Sequence, residues 1–117
     1  MGRRAFYRKC EVPYTVVMIV NSICADYERR KKAISNSMTS PIVKDVFIEL
    51  NKIVDSAFEE IEPGIRNDMF SDIIVGRGYG KSRCNLIMCK DAYYKRRRKI
   101  VYNIAVNMNI INQDKTQ

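Results

Sequence analysis

The chain has 117 residues, of which 46% are hydrophobic and 29% charged, and its formal net charge is +8. This length suits one domain with a modest core, and the hydrophobic content argues against general disorder. The longest aliphatic run, residues 16–20, is far shorter than the roughly 20 residues of a membrane-spanning helix. Because the basic N-terminus also lacks an apolar stretch of signal-peptide length, we expect a cytoplasmic protein with no membrane partner.

The charge is unevenly distributed along the chain. Residues 44–72 contain three basic and eight acidic side chains, for a net charge of −5. Residues 77–99 contain nine basic side chains and one acidic side chain, for a net charge of +8. The C-terminal third therefore attracts polyanions, which makes nucleic acid the leading class of partner.

The first two predicted elements are helices. Pro13 suits a first helical turn, and apolar residues follow it at helical spacing up to the polar segment SNSMTS, residues 35–40. The basic residues 29–32 near its end suit a solvated helix end or, less often, a phosphate backbone. Ser40 and Pro41 then predict the start of a second helix, which runs to about Ile61. Its apolar stripe has a period near 3.6 residues and consists of Val43, Val46, Phe47, Leu50, Ile53, Val54, Ala57, Phe58 and Ile61.

A third helix and a glycine-rich loop follow. Glu62-Pro63-Gly64 interrupts the pattern, and the apolar residues Ile65, Met69, Phe70, Ile73 and Ile74 resume it. The three glycines of VGRGYGKS, residues 75–82, predict a flexible turn. Its end matches the nucleotide-binding pattern GxxxxGK[ST], but Val75 occupies the position of the first glycine and no strand precedes it. An interhelical turn is therefore preferred over an ATPase loop.

The next segments predict a helix-turn-helix. A short helix from Ser82 to about Ile87 is followed by turn residues and by the basic helix CKDAYYKRRRKIVYNIA, residues 89–105. The expected fold class is thus all-α, a small helical bundle with a C-terminal helix-turn-helix. Arg97 falls within the apolar arc of the basic helix, so we interpret it as structural, either extending past the neighbouring helix to solvent or paired with Asp68 or Asp72. That arc contains Tyr93, Tyr94, Ile100, Val101, Ile104, Ala105, Met108 and Ile111.

The basic helix also suggests which side chains would contact DNA. A recognition helix enters the major groove with its amino end, so its first turns supply the groups that read base edges. The predicted base-reading residues are Lys90, Asp91, Ala92, Lys95 and Arg96. The predicted phosphate-binding residues are Arg77, Lys81, Arg83 and Lys99.

The segment MCKDAYYKRRRKIVYNIAVNMNII, residues 88–111, resembles the C-terminal module of phage late-gene transcriptional regulators of the ArpU and RinA type. That module is itself similar to sigma-70 region 4. The matching features are Cys89 at the capping position, Tyr93-Tyr94, the basic run 95–99, the apolar helix 100–108 and Ile110-Ile111. DYERRKKAI, residues 26–34, resembles the upstream helix. The resemblance implies a sequence-specific transcriptional regulator that binds double-stranded DNA, encoded by a phage or prophage and acting in the host cytoplasm.

These expectations divide the chain into four parts. They are a basic tail at 1–12, a two-helix part at 13–62 for packing or dimerisation, the helix-turn-helix region at 63–111 and a polar tail at 112–117. Further candidate partners are RNA polymerase and a second copy of the chain. The alternative functions are a small terminase-like DNA-packaging subunit and a protein-interaction module acting on RNA polymerase.

The residue types argue against catalysis. The chain has no histidine, and an enzyme is not expected without the usual acid-base and nucleophilic groups. Its four cysteines, Cys10, Cys24, Cys84 and Cys89, lack the paired spacing of structural zinc sites. We therefore expect no metal and no cofactor, and we expect Cys24 and Cys84 in the core.

Overall fold

A computed structural model of the protein describes residues 11–112. Within this range the chain forms five α-helices and no strand, which confirms the all-α class. The helices are α1 (Tyr14–Ala25), α2 (Tyr27–Ser35), α3 (Pro41–Glu59), α4 (Pro63–Val75) and α5 (Lys90–Asn107), and 3₁₀ turns occupy Tyr79–Lys81 and Arg83–Leu86. Most of the predicted tails, at 1–10 and 113–117, and Cys10 lie outside the described residues.

The helix predicted from Pro13 to the SNSMTS segment is interrupted. Asp26, with φ −91° and ψ 3°, separates α1 from α2, so the prediction of one continuous helix is wrong. The Asp26 carboxylate does not cap α2; it accepts hydrogen bonds from Arg29 at 2.6 and 2.5 Å. Three helices rather than two therefore lie between residues 13 and 62.

Arg30 departs from the predicted solvated end of the first helix. Its side chain is buried, with 2% of the residue exposed. The guanidinium donates to the side-chain oxygen of Asn51 and to the carbonyl of Ile23, both at 2.7 Å. Because a buried charge is stable only where such partners surround it, Arg30 acts as an internal link between α2 and α3.

The helices α3 and α4 begin and end close to the predicted positions. The Ser40 hydroxyl caps α3 by accepting a hydrogen bond from the Val43 amide at 3.3 Å. Pro41 and Pro63 lie in the first turns of their helices, where a missing amide hydrogen costs nothing. Gly76 ends α4 with a φ of 72°, a left-handed conformation that glycine adopts without steric strain.

One hydrophobic core joins α1, α3, α4 and α5. α1 packs against α4 and α5, α5 also packs against α3, and α2 packs on α3. The core residues include Val20 and Cys24 of α1, Val54 and Phe58 of α3, Met69 and Ile73 of α4, and Tyr93, Ile100 and Ile104 of α5. The predicted N-terminal and C-terminal parts thus share one core, and Cys24 and Cys84 are buried as predicted. Among the helices of residues 11–112, none combines the length and apolar composition needed to cross a bilayer.

The region before α5 differs from the prediction, whereas α5 itself does not. Tyr93, Ile100, Val101, Ile104 and Ala105 are buried on one face of α5, as its helical wheel predicts. The short α-helix predicted at 82–87 is instead a 3₁₀ turn, Arg83–Leu86. The Ser82 hydroxyl accepts a hydrogen bond from the Cys84 amide at 3.0 Å, a local contact that favours a tight turn over an α-helix.

Candidate nucleic-acid interface

Tyrosine hydroxyl groups fasten the loop of residues 76–89 to the amino end of α5. The Tyr79 amide donates to the Tyr94 hydroxyl oxygen at 3.0 Å, and the Tyr79 hydroxyl donates to the Met88 carbonyl at 2.6 Å. A Cβ atom at Gly78 would lie 3.2 Å from the Tyr94 hydroxyl, so a larger residue there would require this hydroxyl to shift by a few tenths of an ångström. The loop is therefore a hydrogen-bonded segment, in contrast to the flexible turn that its glycines predict.

A buried carboxylate lies beneath this loop. Asp72 of α4 has 0% of its surface exposed, and it accepts hydrogen bonds from the Tyr93 hydroxyl and from Arg77, each at 2.8 Å. Burial, together with the hydrogen bond to Asp72, raises the pKa of Tyr93 to about 12. Arg77, a predicted phosphate-binding residue, is thus held in an ion pair whose carboxylate side chain is 1% exposed.

Arg97 has the structural position that the helical wheel predicts, with different partners. Its guanidinium donates to the Tyr93 hydroxyl oxygen at 2.8 Å and to the Arg77 carbonyl. The predicted direct pair with Asp72 is made by Arg77 instead. Arg97 therefore contributes to the same network through Tyr93, and it fixes the loop against α5.

Arg96 and Lys99 face acidic residues at the junction of α3 and α4. Arg96 Nε lies 3.0 Å from Glu62 Oε1, and Arg96 Nη2 lies 2.7 Å from Glu62 Oε2, a bidentate pair. The hydrogen bonds from Arg96 are the largest cause that lowers the pKa of Glu62 to about 2. Lys99 Nζ lies 3.9 Å from Glu60 Oε1. Both basic residues would have to leave these carboxylates before they could contact DNA as predicted.

The other predicted residues lie at or near the amino end of α5. Lys90, Asp91 and Lys95 are exposed, whereas Ala92 is half-buried and its carbonyl accepts a hydrogen bond from Arg96 at 3.1 Å. Asp91 lies in the first turn, where a negative charge suits the positive end of the helix dipole. Lys95 lies on the face of α5 opposite its buried residues.

Three cations at this end define what we term the basic cluster, which consists of Lys81, Arg83 and Lys90. The side chains are exposed, and within residues 11–112 none of them forms an ion pair. The two 3₁₀ turns that carry Lys81 and Arg83 pack against α5, which brings the cluster to one end of that helix. The helix dipole adds positive potential at the same place.

Two aliphatic side chains beside the basic cluster have no role in the sequence prediction. Leu86 is 82% exposed and Ile87 is 66% exposed, immediately before the capping residue Cys89. Apolar residues in a predicted helix are expected to be buried, so no sequence signal marks this pair. Their exposure follows from the 3₁₀ turn, which directs them away from the core.

The nucleotide-loop pattern at Gly80-Lys81-Ser82 has a structural explanation. Ser82 is 3% exposed, and its hydroxyl is occupied by the Cys84 amide. A magnesium-binding serine of a nucleotide loop needs that oxygen for the ion. The structure therefore favours an interhelical turn at this position.

Comparisons with known proteins add no relative on which to base a function. No protein-family model, no curated protein and no solved structure matches the chain. Within residues 11–112, no group of three histidine, cysteine, aspartate or glutamate side chains is placed to hold a metal ion. The surface around α5, with its geometry and charge, is therefore the basis for a proposed function.

Proposed function

We propose that the protein is a sequence-specific regulator of transcription that binds double-stranded DNA through the amino end of α5. The observation that carries this proposal is the basic cluster, three exposed cations without ion pairs among residues 11–112 at the end of one helix. Cations that are not neutralised by nearby carboxylates are the groups that can displace counterions from DNA phosphates. A phage or prophage origin is proposed from the resemblance of residues 88–111 to phage regulators.

The distribution of ion pairs narrows the predicted DNA surface. Of the nine basic residues at 77–99, Arg77, Arg96 and Lys99 lie beside carboxylates, and Arg97 belongs to the buried network. Lys81, Arg83 and Lys90, the basic cluster, form no ion pair among residues 11–112. Lys95, in the second turn of α5, is exposed on the face opposite the buried residues.

The proposed roles follow from the position of each group. α5 would enter the major groove with its amino end, where Lys90 and Lys95 reach base edges and Lys81 and Arg83 hold phosphates. Leu86 and Ile87, which are 82% and 66% exposed, would contact thymine methyl groups beside the same end. α4, the loop and α5 would together act as the helix-turn-helix, with the Arg83–Leu86 turn in place of a regular first helix.

The proposal is tested with two double variants that remove equal charge. Lys81→Ala/Arg83→Ala alters the basic cluster, whereas Arg96→Ala/Lys99→Ala alters the side that faces Glu60 and Glu62. Binding to a labelled duplex is measured by fluorescence anisotropy at several salt concentrations. The log–log salt slope of the first variant should decrease in magnitude by about 1.8, the loss of two phosphate contacts, and that of the second by less than about 0.9.

Because the two double variants lose the same charge, a difference between their salt slopes reports the position of the lost residues. Because both variants lose two positive charges, an effect of net charge alone would change both slopes equally. Equal slopes, a larger effect of the second variant, or a wild-type protein that does not bind duplex DNA at low salt would contradict the proposal. Far-UV circular dichroism of both variants checks that the helices are retained.

A further inference from the structure

The amino half of α3 exposes apolar side chains that belong to a core-forming stripe. Exposure decreases along the helix from 77% at Ile42 and 52% at Val46 to 1% at Val54. Ile42 and Val46 lie on the same side of α3 as Ile53 and Ala57, which are half-buried and buried. The protein covers this stripe in the carboxyl half of α3 and leaves it exposed in the amino half.

The contacts of α3 explain this gradient. Its carboxyl half meets the other helices, for example where Phe58 packs edge-to-face on Phe70 of α4 with ring centroids 5.3 Å apart. Its amino half packs on α2, where the Arg29 guanidinium lies 5.4 Å from the Phe47 ring centroid. Among the residues that the structure describes, this end of the protein is a two-helix hairpin, and no third helix covers Ile42 and Val46.

We infer that a second copy of the same hairpin covers this surface and forms a two-fold symmetric dimer. The surface, which we term the hairpin surface, consists of Met38, Ile42, Val43 and Val46, which are 88%, 77%, 39% and 52% exposed. A cluster of exposed apolar residues of this kind marks an interaction site. Two antiparallel helices are half of a four-helix bundle, and a second hairpin supplies the missing half.

The two helices of the hairpin carry net charges of opposite sign. α2 contains four basic residues and one acidic residue, whereas residues 41–50 contain one basic and two acidic residues. In a two-fold antiparallel packing, α2 of one copy crosses α3 of the other. The exposed Lys31 and Lys32 then face Asp45 of the second copy, and symmetry repeats the contact. Glu49 lies 3.6 Å from Lys52 of its own helix. This pairing favours a second copy over a polyanion at this end of the protein.

The hairpin surface does not overlap the basic cluster. α3 has 19 residues and is therefore about 28 Å long. The amino end of α5 lies beyond the carboxyl end of α3, where Arg96 meets Glu62, and the hairpin surface lies at the opposite end. The dimer therefore leaves both amino ends of α5 accessible, and it does not depend on whether α5 binds DNA.

The test is the mass of the protein in solution, measured by sedimentation equilibrium without nucleic acid. The wild-type protein should sediment with twice the monomer mass of 13.6 kDa. Val46→Glu should raise the dimer dissociation constant by more than about 100-fold, because each copy loses an apolar contact and gains a charge at the interface. The matched control is Val75→Glu, which alters a side chain that is 59% exposed at the end of α4 and should leave the dimer intact.

Ile42→Glu, at a residue that is 77% exposed, is a second variant that should dissociate the dimer with unchanged helicity. A wild-type monomer would overturn the inference and would leave the surface to a different protein. A ring-sized oligomer would also overturn it, and would favour the alternative of a DNA-packaging subunit. Dissociation by Val75→Glu but not by Val46→Glu would place the interface elsewhere. Since no DNA is present, these outcomes are separate from a failure of DNA binding.

Discussion

Replacing Tyr93 with phenylalanine removes one hydroxyl group from the buried network that joins α4 to α5. That hydroxyl donates to Asp72 Oδ2 and accepts a hydrogen bond from Arg97 Nη1, both at 2.8 Å. Asp72 has 0% of its surface exposed, so water does not replace the lost donor. The aromatic ring is retained, and the hydrophobic contribution of the side chain therefore changes little.

The expected loss of stability follows from these contacts. A hydrogen bond to a buried charged group contributes about 1.5–3 kcal/mol, whereas one between neutral groups contributes about 1 kcal/mol. Asp72 keeps its bond to Arg77, and Arg97 keeps its bond to the Arg77 carbonyl. We expect Tyr93→Phe to lower the free energy of unfolding by about 2–3 kcal/mol. Tyr94→Phe is the matched control, because its hydroxyl accepts only a neutral amide at a half-buried position, and it should cost about 1 kcal/mol.

The free energy of unfolding of both variants is measured by urea unfolding, followed by far-UV circular dichroism. Equal dependence of this free energy on urea concentration checks that the unfolding transition is unchanged. The pH dependence supplies a second measurement. The pKa of Tyr93 is raised from its usual 10.0 to about 12, so its contribution is present below about pH 10 and is lost as the pH rises to about 12. Tyr93→Phe should therefore lose less stability than the wild-type protein over this pH range. The loss due to Tyr27, whose pKa is also about 12, remains in both proteins. The reasoning is refuted if Tyr93→Phe destabilises the protein no more than Tyr94→Phe does.

Two further predictions concern Glu62 and Gly76. Glu62→Gln removes the ion pair with Arg96, and because the Glu62 side chain is 56% exposed we expect a loss of less than about 1 kcal/mol at pH 7. The pKa of Glu62 is lowered from 4.5 to about 2, so the contribution of this ion pair is present above pH 4.5 and is lost as the pH falls through about 2. The urea midpoints of the wild-type protein and of Glu62→Gln should therefore converge as the pH is lowered. Gly76→Ala should cost about 1 kcal/mol, because the φ of 72° is strained for any residue with a Cβ atom. Gly64→Ala, at a helical position with open space around it, should not destabilise the protein, and equal thermal shifts for the two alanine variants would argue against the left-handed turn.

The helix boundaries could be predicted from the sequence because they depend on neighbouring residues. Ser40 and Pro41 start α3, Pro63 starts α4 and Gly76 ends it, through hydrogen bonds and backbone angles that span a few positions. The two faces of α5 could likewise be predicted, since the period of its apolar residues is local information. The break at Asp26 was missed because the apolar spacing continues through it.

Which basic residues are available to a partner was decided by the tertiary structure. Arg96 meets Glu62 across 34 positions of the chain, and Arg30 meets Asn51 across 21. Such pairs form because packing brings distant groups together, and the pattern of charges along one helix carries no information about them. The apolar stripe of α3 is similar: its period predicts a face that packs, but only the positions of the other helices determine that Ile42 and Val46 remain exposed while Val54 is buried.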